Sequence, residues 1–128
     1  MEHYKTLRQV CDELGISRRT IQGYEEKQLV QPIARNKYGH LLYDDKAVKR
    51  IAFIRFSQQI GFTVKEIREF ADGSPGEIKG ILSRQAALLQ QRKSIVEKQL
   101  VQIRKLISMD KDADYLSEIY AIVKENRQ

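Results

Sequence analysis

From residue 6 onward, apolar side chains recur at helical spacing in short runs that glycines interrupt. Leu7, Val10, Cys11 and Leu14 fall on one face of a first helix. Thr6 and Gln9 stand three apart, as a capping box requires, and Gly15 is placed to end the helix as its C′ residue. Gly15, Ile16 and Ser17 form a short turn, and Ser17 is a natural N-cap for the next helix, SRRTIQGYEE. That helix turns Ile21 and Tyr24 inward and leaves Arg18, Arg19 and Gln22 outward. Two short helices joined this way predict a helix-turn-helix over about residues 6–26, whose second helix would enter the major groove of DNA.

The pattern then changes. Leu29, Val30 and Pro32 lead into RNKYGHLLY at 35–43, where Gly39 between aromatic residues predicts a hairpin or wing. Val48, Ile51, Phe53, Ile54 and Phe56 supply the apolar surface of a third helix over about 45–60, stopped by Gly61. Thr63 and Glu66 repeat the capping-box spacing for a short helix through Phe70. DGSPG, residues 72–76, reads as a linker. Beyond it, residues 77–109 contain no proline, and apolar positions step in alternating fours and threes: Leu82, Ala86, Leu89, Val96, Leu100, Ile103 and Ile107. Lys93 fills the one slot that breaks the series, as a register device or by snorkelling to solvent, and the latter reading is taken. A heptad stripe this long belongs to a coiled coil. Such a helix extends roughly 50 Å and cannot bury its stripe against a head of about 70 residues, so a partner chain is expected. The polar DKDAD at 110–114 breaks it, and Tyr115, Ile119, Ile122 and Val123 share one face of a short terminal helix.

The expected fold is therefore mainly α. A winged helix-turn-helix DNA-binding domain (1–71) is followed by the linker (72–76), a long dimerising coiled-coil helix (77–109) and a short terminal helix or tail (110–128).

Charge supports a polyanionic partner without naming one. The chain of 128 residues carries a formal net charge of +6. Residues 1–71 hold +4, the long helix +5 and the tail −2. Arg18 and Arg19 at a helix N-terminus oppose the helix dipole, which makes an idle placement costly and favours contact with phosphate or guanine. No apolar run approaches the roughly 20 residues of a membrane span, and no apolar leader opens the chain, so a cytoplasmic protein without membrane association is expected. The single cysteine, Cys11, lies on the buried face of the first helix and reads as a small hydrophobe rather than a sensor. With His3 and His40 it forms no ligand spacing for a metal. No pairing of nucleophile and base supports an enzyme, and no cofactor is expected.

The order of these pieces, and the strings LRQVCDELGISRRTIQGYEEKQLVQP and IRFSQQIGFTVKEIREF, resemble the MerR family of helix-turn-helix transcription regulators. Its Gly-Phe-Ser/Thr-x-x-Glu-Ile signature corresponds to Gly61, Phe62, Thr63, Glu66 and Ile67. The resemblance covers residues 6 to about 109. It implies a homodimer joined by an antiparallel coiled coil, bound to a pseudo-palindromic promoter site in double-stranded DNA. It also implies that the dimer distorts the promoter spacer so that RNA polymerase can engage. The DNA-contacting residues so implied are Ser17, Arg18, Arg19, Thr20, Gln22 and Tyr24 of the second helix. In the wing they are Arg35, Asn36, Lys37, Tyr38, His40 and Tyr43, although core packing competes for Tyr43. The heptad residues from Leu82 to Ile107 would form the dimer interface. Two places depart from the family, which commonly has arginine where this chain has Gln22 and Leu41, and Gly23 and His40 differ beside them.

Metal-sensing relatives place cysteines near the end of the coiled coil, and this chain has none there. The residues after Met109 are too few for a separate effector domain, so a short member of the family is expected. Tyr115, Ile119 and Tyr120 are the candidate lining of an effector cleft, although dimer packing accounts for them equally and is the reading preferred. The competing function is a DNA-organising or anchoring protein with such a head on a coiled coil.

Overall fold

The computed structural model describes residues 3–127. They divide into two compact units after Ile78. The first contains β1 (Lys5–Thr6), α1 (Leu7–Leu14), α2 (Arg18–Glu26), β2 (Ala34–Arg35), β3 (Leu41–Tyr43), α3 (Asp45–Gln59) and α4 (Val64–Phe70). It also holds the first turn of α5 (Pro75–Ile107), which continues into the second unit and is followed by α6 (Tyr115–Glu125).

Local chemistry sets these boundaries. Thr6 caps α1 with a complete capping box, its own amide donating to the Gln9 side chain at 2.8 Å. Gly15 ends α1 at φ 64°, a left-handed conformation that glycine adopts without a Cβ penalty. Thr63 and Glu66 form the second box, at the start of α4. Helix α3 closes with Gly61 at φ 99°, where the Gly61 and Phe62 amides return to the carbonyls of Gln58 and Ser57 at 3.1 and 3.0 Å. That is a Schellman motif. The same motif ends α2, but its left-handed position is Gln28 at φ 60° rather than a glycine. The Gln28 and Leu29 amides there donate to Glu25 and Tyr24, each at 2.9 Å.

The core of the first unit gathers Val10, Ile21, Tyr43, Ile51, Ile54 and Ile67, all fully buried, with Phe62 and Phe70 meeting edge to face at 4.9 Å. Burying aliphatic side chains of this size contributes about 1.5–3 kcal/mol each. Of the face expected for α1, only Val10 is fully buried; Leu7, Cys11 and Leu14 are half-buried. Arg50 braces the far side, donating to the Leu29 carbonyl and, at 2.7 Å, to Asp72. That hydrogen bond holds the Asp72 carboxyl below the usual carboxylate range.

Three short strands form an antiparallel sheet in the order β1–β3–β2. Lys5 pairs with Tyr43 and Thr6 with Leu42, while Ala34 and Arg35 pair with Leu42 and Leu41. The hairpin expected at 35–43 is therefore present and starts one residue earlier, at Ala34. The strand β1 was not expected. It fastens the wing to the chain that enters α1.

The expected linker at 72–76 is shorter in the structure. Helix α5 begins at Pro75, so Pro75 and Gly76 are its first residues and the helix runs 75–107 rather than 77–109. Proline is tolerated there because the first helical amide has no intrahelical partner. Ser74 completes the start, its Oγ accepting from the Glu77 amide at 3.2 Å. Along α5 the apolar stripe lies open: Leu82, Leu89, Val96, Leu100, Ile103 and Ile107 are all exposed, as is Ala86. Lys93 reaches solvent beside Glu97. Asp114 caps α6, which buries none of its residues.

Candidate nucleic-acid interface

The site is built on α1, α2 and the wing. Ser17 caps α2 by accepting from the Thr20 amide at 3.1 Å, and its hydroxyl also meets that of Thr20 at 2.7 Å. These two side chains are thus committed to starting the helix. Arg18, Arg19 and Gln22 project outward, exposed. The first turn of α2 contains no acid to offset its two arginines. Among the described residues, none makes an ion pair or side-chain hydrogen bond with Arg18 or Arg19.

In the wing, Asn36 shapes the turn. Its side-chain oxygen accepts from the amides of Tyr38 and His40, both at 2.9 Å. Gly39 takes the left-handed conformation at φ 80°, and Arg35 donates to its carbonyl at 2.8 Å. The tip presents Lys37 above the Tyr38 ring, 5.1 Å from its centre, with the His40 ring centred 6.3 Å from that of Tyr38. Tyr38 is 71% exposed at the tip.

Two residues expected to touch DNA do not reach the surface. Tyr24 and Tyr43 are both buried. Tyr24 donates its hydroxyl to Gln58 on α3 at 2.7 Å, and Tyr43 donates to Glu25 on α2. Burial pushes both phenols up; for Tyr43, the bond to Glu25 pushes in the same direction. Each ring packs in the core and uses its polar tip as a brace, Tyr24 tying α2 to α3 and Tyr43 tying the wing to α2.

Between helix and wing lies a cleft of about 450 Å³. Thr6, Leu7 and Arg8 at the start of α1 form one side. Arg18 and Gln22 of α2 form a second, and Gly39, His40 and Leu41 of the wing a third. Of the expected contact residues, Arg18, Gln22 and His40 thus converge, whereas Arg19, Thr20, Arg35, Asn36, Lys37 and Tyr38 lie outside the cleft lining. Both departures from the family's arginines, Gln22 and Leu41, face this one cleft. Arg8 was not among the expected residues. Its signal was present in its position on the polar side of α1, opposite Val10, but only β1 and the wing show what it faces.

The other candidate sites stand as follows. Tyr115, Ile119 and Tyr120 are exposed on α6. Cys11 is half-buried. Among the described residues, no group of three or more His, Cys, Asp or Glu side chains is placed to hold a metal ion, and no helix is long and apolar enough to cross a membrane.

A helix-turn-helix braced by a wing, with exposed arginines opening its second helix, defines a DNA-binding protein class, and comparison with known proteins specifies it. Residues 5–74 match the family described as MerR HTH family regulatory protein, and residues 48–109 match the one described as MerR, DNA binding. The chain belongs to the MerR family of helix-turn-helix transcription regulators. It is similar to the HTH-type transcriptional activator mta of Bacillus subtilis (strain 168), with 32% identity over 105 residues that cover 81% of this chain and 41% of that protein. It is also similar to the HTH-type transcriptional regulator CueR of Yersinia pestis, with 37% identity over 60 residues covering 47% and 43% of the two chains. Among solved structures it resembles MtaN, the N-terminus of the Bacillus subtilis multidrug transporter activator, with a TM-score of 0.74 and 28% identity, covering 82% of this chain and 99% of that one. HiNmlR, a MerR family regulator lacking the sensor domain and bound to promoter DNA, shares the fold at a TM-score of 0.62 and 19% identity, covering 94% and 96%. The chain spans less than half the length of mta and of CueR.

Proposed function

We propose that the chain is a homodimeric transcription regulator that binds a pseudo-palindromic promoter site and controls transcription by distorting the promoter spacer for RNA polymerase. The observation that carries this reading is the convergence of Arg18, Gln22 and His40, from recognition helix and wing, on one cleft, with Arg19 exposed beside it. Helix α2 enters the major groove with Arg18, Arg19 and Gln22 leading, and the wing tip of Arg35, Lys37, Tyr38 and His40 lies along the adjoining backbone. The exposed stripe of α5 pairs with that of a second chain and sets the spacing of two heads, so protein two-fold symmetry is matched by the site. Distortion is offset by contacts from both heads at once. The face of α6 around Tyr115 and Ile119 packs in that dimer. The protein acts in the cytoplasm on double-stranded DNA, needs no cofactor and catalyses no reaction. The relative mta, named as a transcriptional activator, supports control of transcription over mere anchoring.

The test is the doubly substituted Arg18→Ala/Arg19→Ala chain measured against promoter duplex by fluorescence anisotropy across a range of salt. Affinity should fall at low salt, and its salt dependence should flatten by about 0.9 per lost phosphate contact. Unchanged affinity and slope would remove both arginines from the interface.

A further inference from the structure

We infer that the cleft between α2 and the wing seats the sugar-phosphate backbone of one DNA strand, clamped by Arg8 of α1. This rests on the duplex-binding reading above and names the part of the duplex that the cleft takes. Three side chains able to carry positive charge, Arg8, Arg18 and His40, come from three different elements to line one concavity of about 450 Å³. No acid lines it. In the same unit Lys5 is paired with Glu13 and Lys49 with Asp45. Among the described residues, Arg8 and Arg18 have no such partner. Cations that no described residue pairs, converging on a concavity that no acid lines, are the footprint of a polyanion.

Duplex geometry says which part of that polyanion fits. The major groove accepts a helix, and the ridge that bounds it is the phosphate backbone. A recognition helix lying in the groove and a wing standing beside it must straddle that ridge, and Arg8 lies in the space between them. The cleft is also prebuilt. Thr6 pairs with Leu42 in the sheet, so the start of α1 and the wing wall are joined by strand hydrogen bonds before any ligand arrives. Little ordering cost remains to be met on binding. An arginine against phosphate holds register without reading sequence.

The experiment measures affinity over a range of salt for the full chain and for Arg8→Gln, Arg8→Lys and Lys49→Gln. Two duplexes serve as probes: one selected by the wild type from a random pool and one of mixed sequence. Arg8→Gln should reduce the magnitude of the salt slope by about 0.9 per head, or about 1.8 for a two-headed dimer, on both duplexes equally. Arg8→Lys should keep the wild-type slope, since a point charge suffices for a phosphate. The preference for the selected duplex should be the same in both variants. Arg8 is exposed, and thermal unfolding of Arg8→Gln should match the wild type. A slope for Arg8→Gln no lower than that of Lys49→Gln overturns the assignment. So does a preference altered at a single base pair, which would make Arg8 a base reader. Failure of the wild-type chain to bind either duplex would overturn the functional reading as well, whereas normal wild-type binding with an unchanged Arg8→Gln slope overturns this inference alone.

Discussion

Tyr43 shows most clearly how a single residue can be misread from sequence. An aromatic ring in a basic loop fits DNA contact and core packing equally, because its body is apolar and its tip polar. Only the pairing of β3 with β1 turns it inward, where its hydroxyl meets Glu25. The consequence is measurable. Burial and Glu25 raise the folded-state phenol above its ordinary value of 10.0, so the neutral form is favoured in the fold. The stability this contributes is fully present below about pH 10 and is lost as pH rises beyond it. Tyr24 shifts in the same direction, again chiefly through burial. In Tyr43→Phe, denaturant titration at neutral pH should show a loss of about 1–3 kcal/mol. Its decline in stability above pH 10 should be shallower than that of the wild type; an equally steep decline would mean that Tyr43 is not the titrating group. Arg8 was legible only as a polar position on α1, because the wing that faces it comes from far along the chain.

At the scale of elements, the starts and stops were the most legible features, because capping is local chemistry. Thr6 with Gln9, Thr63 with Glu66, and the glycines at 15 and 61 each act within a few residues. The strand β1 was not legible, since so short a strand has no periodicity and pairs with partners at 42 and 43. Pro75 and Gly76 misled in another way: both are usual breakers, but the first turn of a helix accepts proline. Helix α2 and its end carry two local conflicts that can be corrected by substitution. Gly23 sits mid-helix, with open space to 4 Å around the point where a Cβ would stand, and Gln28 holds a left-handed conformation that glycine adopts more readily. Gly23→Ala should raise stability by about 0.5–1 kcal/mol, and Gln28→Gly by about 1 kcal/mol. Thermal unfolding checks both. A loss in the first would show that the open space is needed by the fold, and a loss in the second that the Gln28 side chain has a role of its own.

For the whole molecule, the open stripe on α5 decides the assembly. Its heptad spacing was readable without a structure because periodicity over several turns is a strong signal. The partner proposed to cover it is a second copy of the chain. Light scattering at micromolar concentration should give twice the 14.9 kDa chain mass, and Leu100→Asp/Ile103→Asp should shift it towards a single chain. A monomeric wild type would remove the basis for two rigidly spaced heads. The family was legible, whereas the DNA sequence the protein reads was not. Gln22 and Leu41 stand where the family has arginine, and no local rule says which base a substituted contact prefers.

The central claim, a dimer acting on promoters, is tested most directly by footprinting the protein across the genome of its source organism alongside transcript levels in cells with and without it. A promoter-distorting dimer should leave a limited set of pseudo-palindromic footprints that overlap promoters, with altered transcription at the genes beside them. Many dispersed footprints with no symmetric motif and unchanged transcripts would contradict that claim and identify a DNA-organising protein instead.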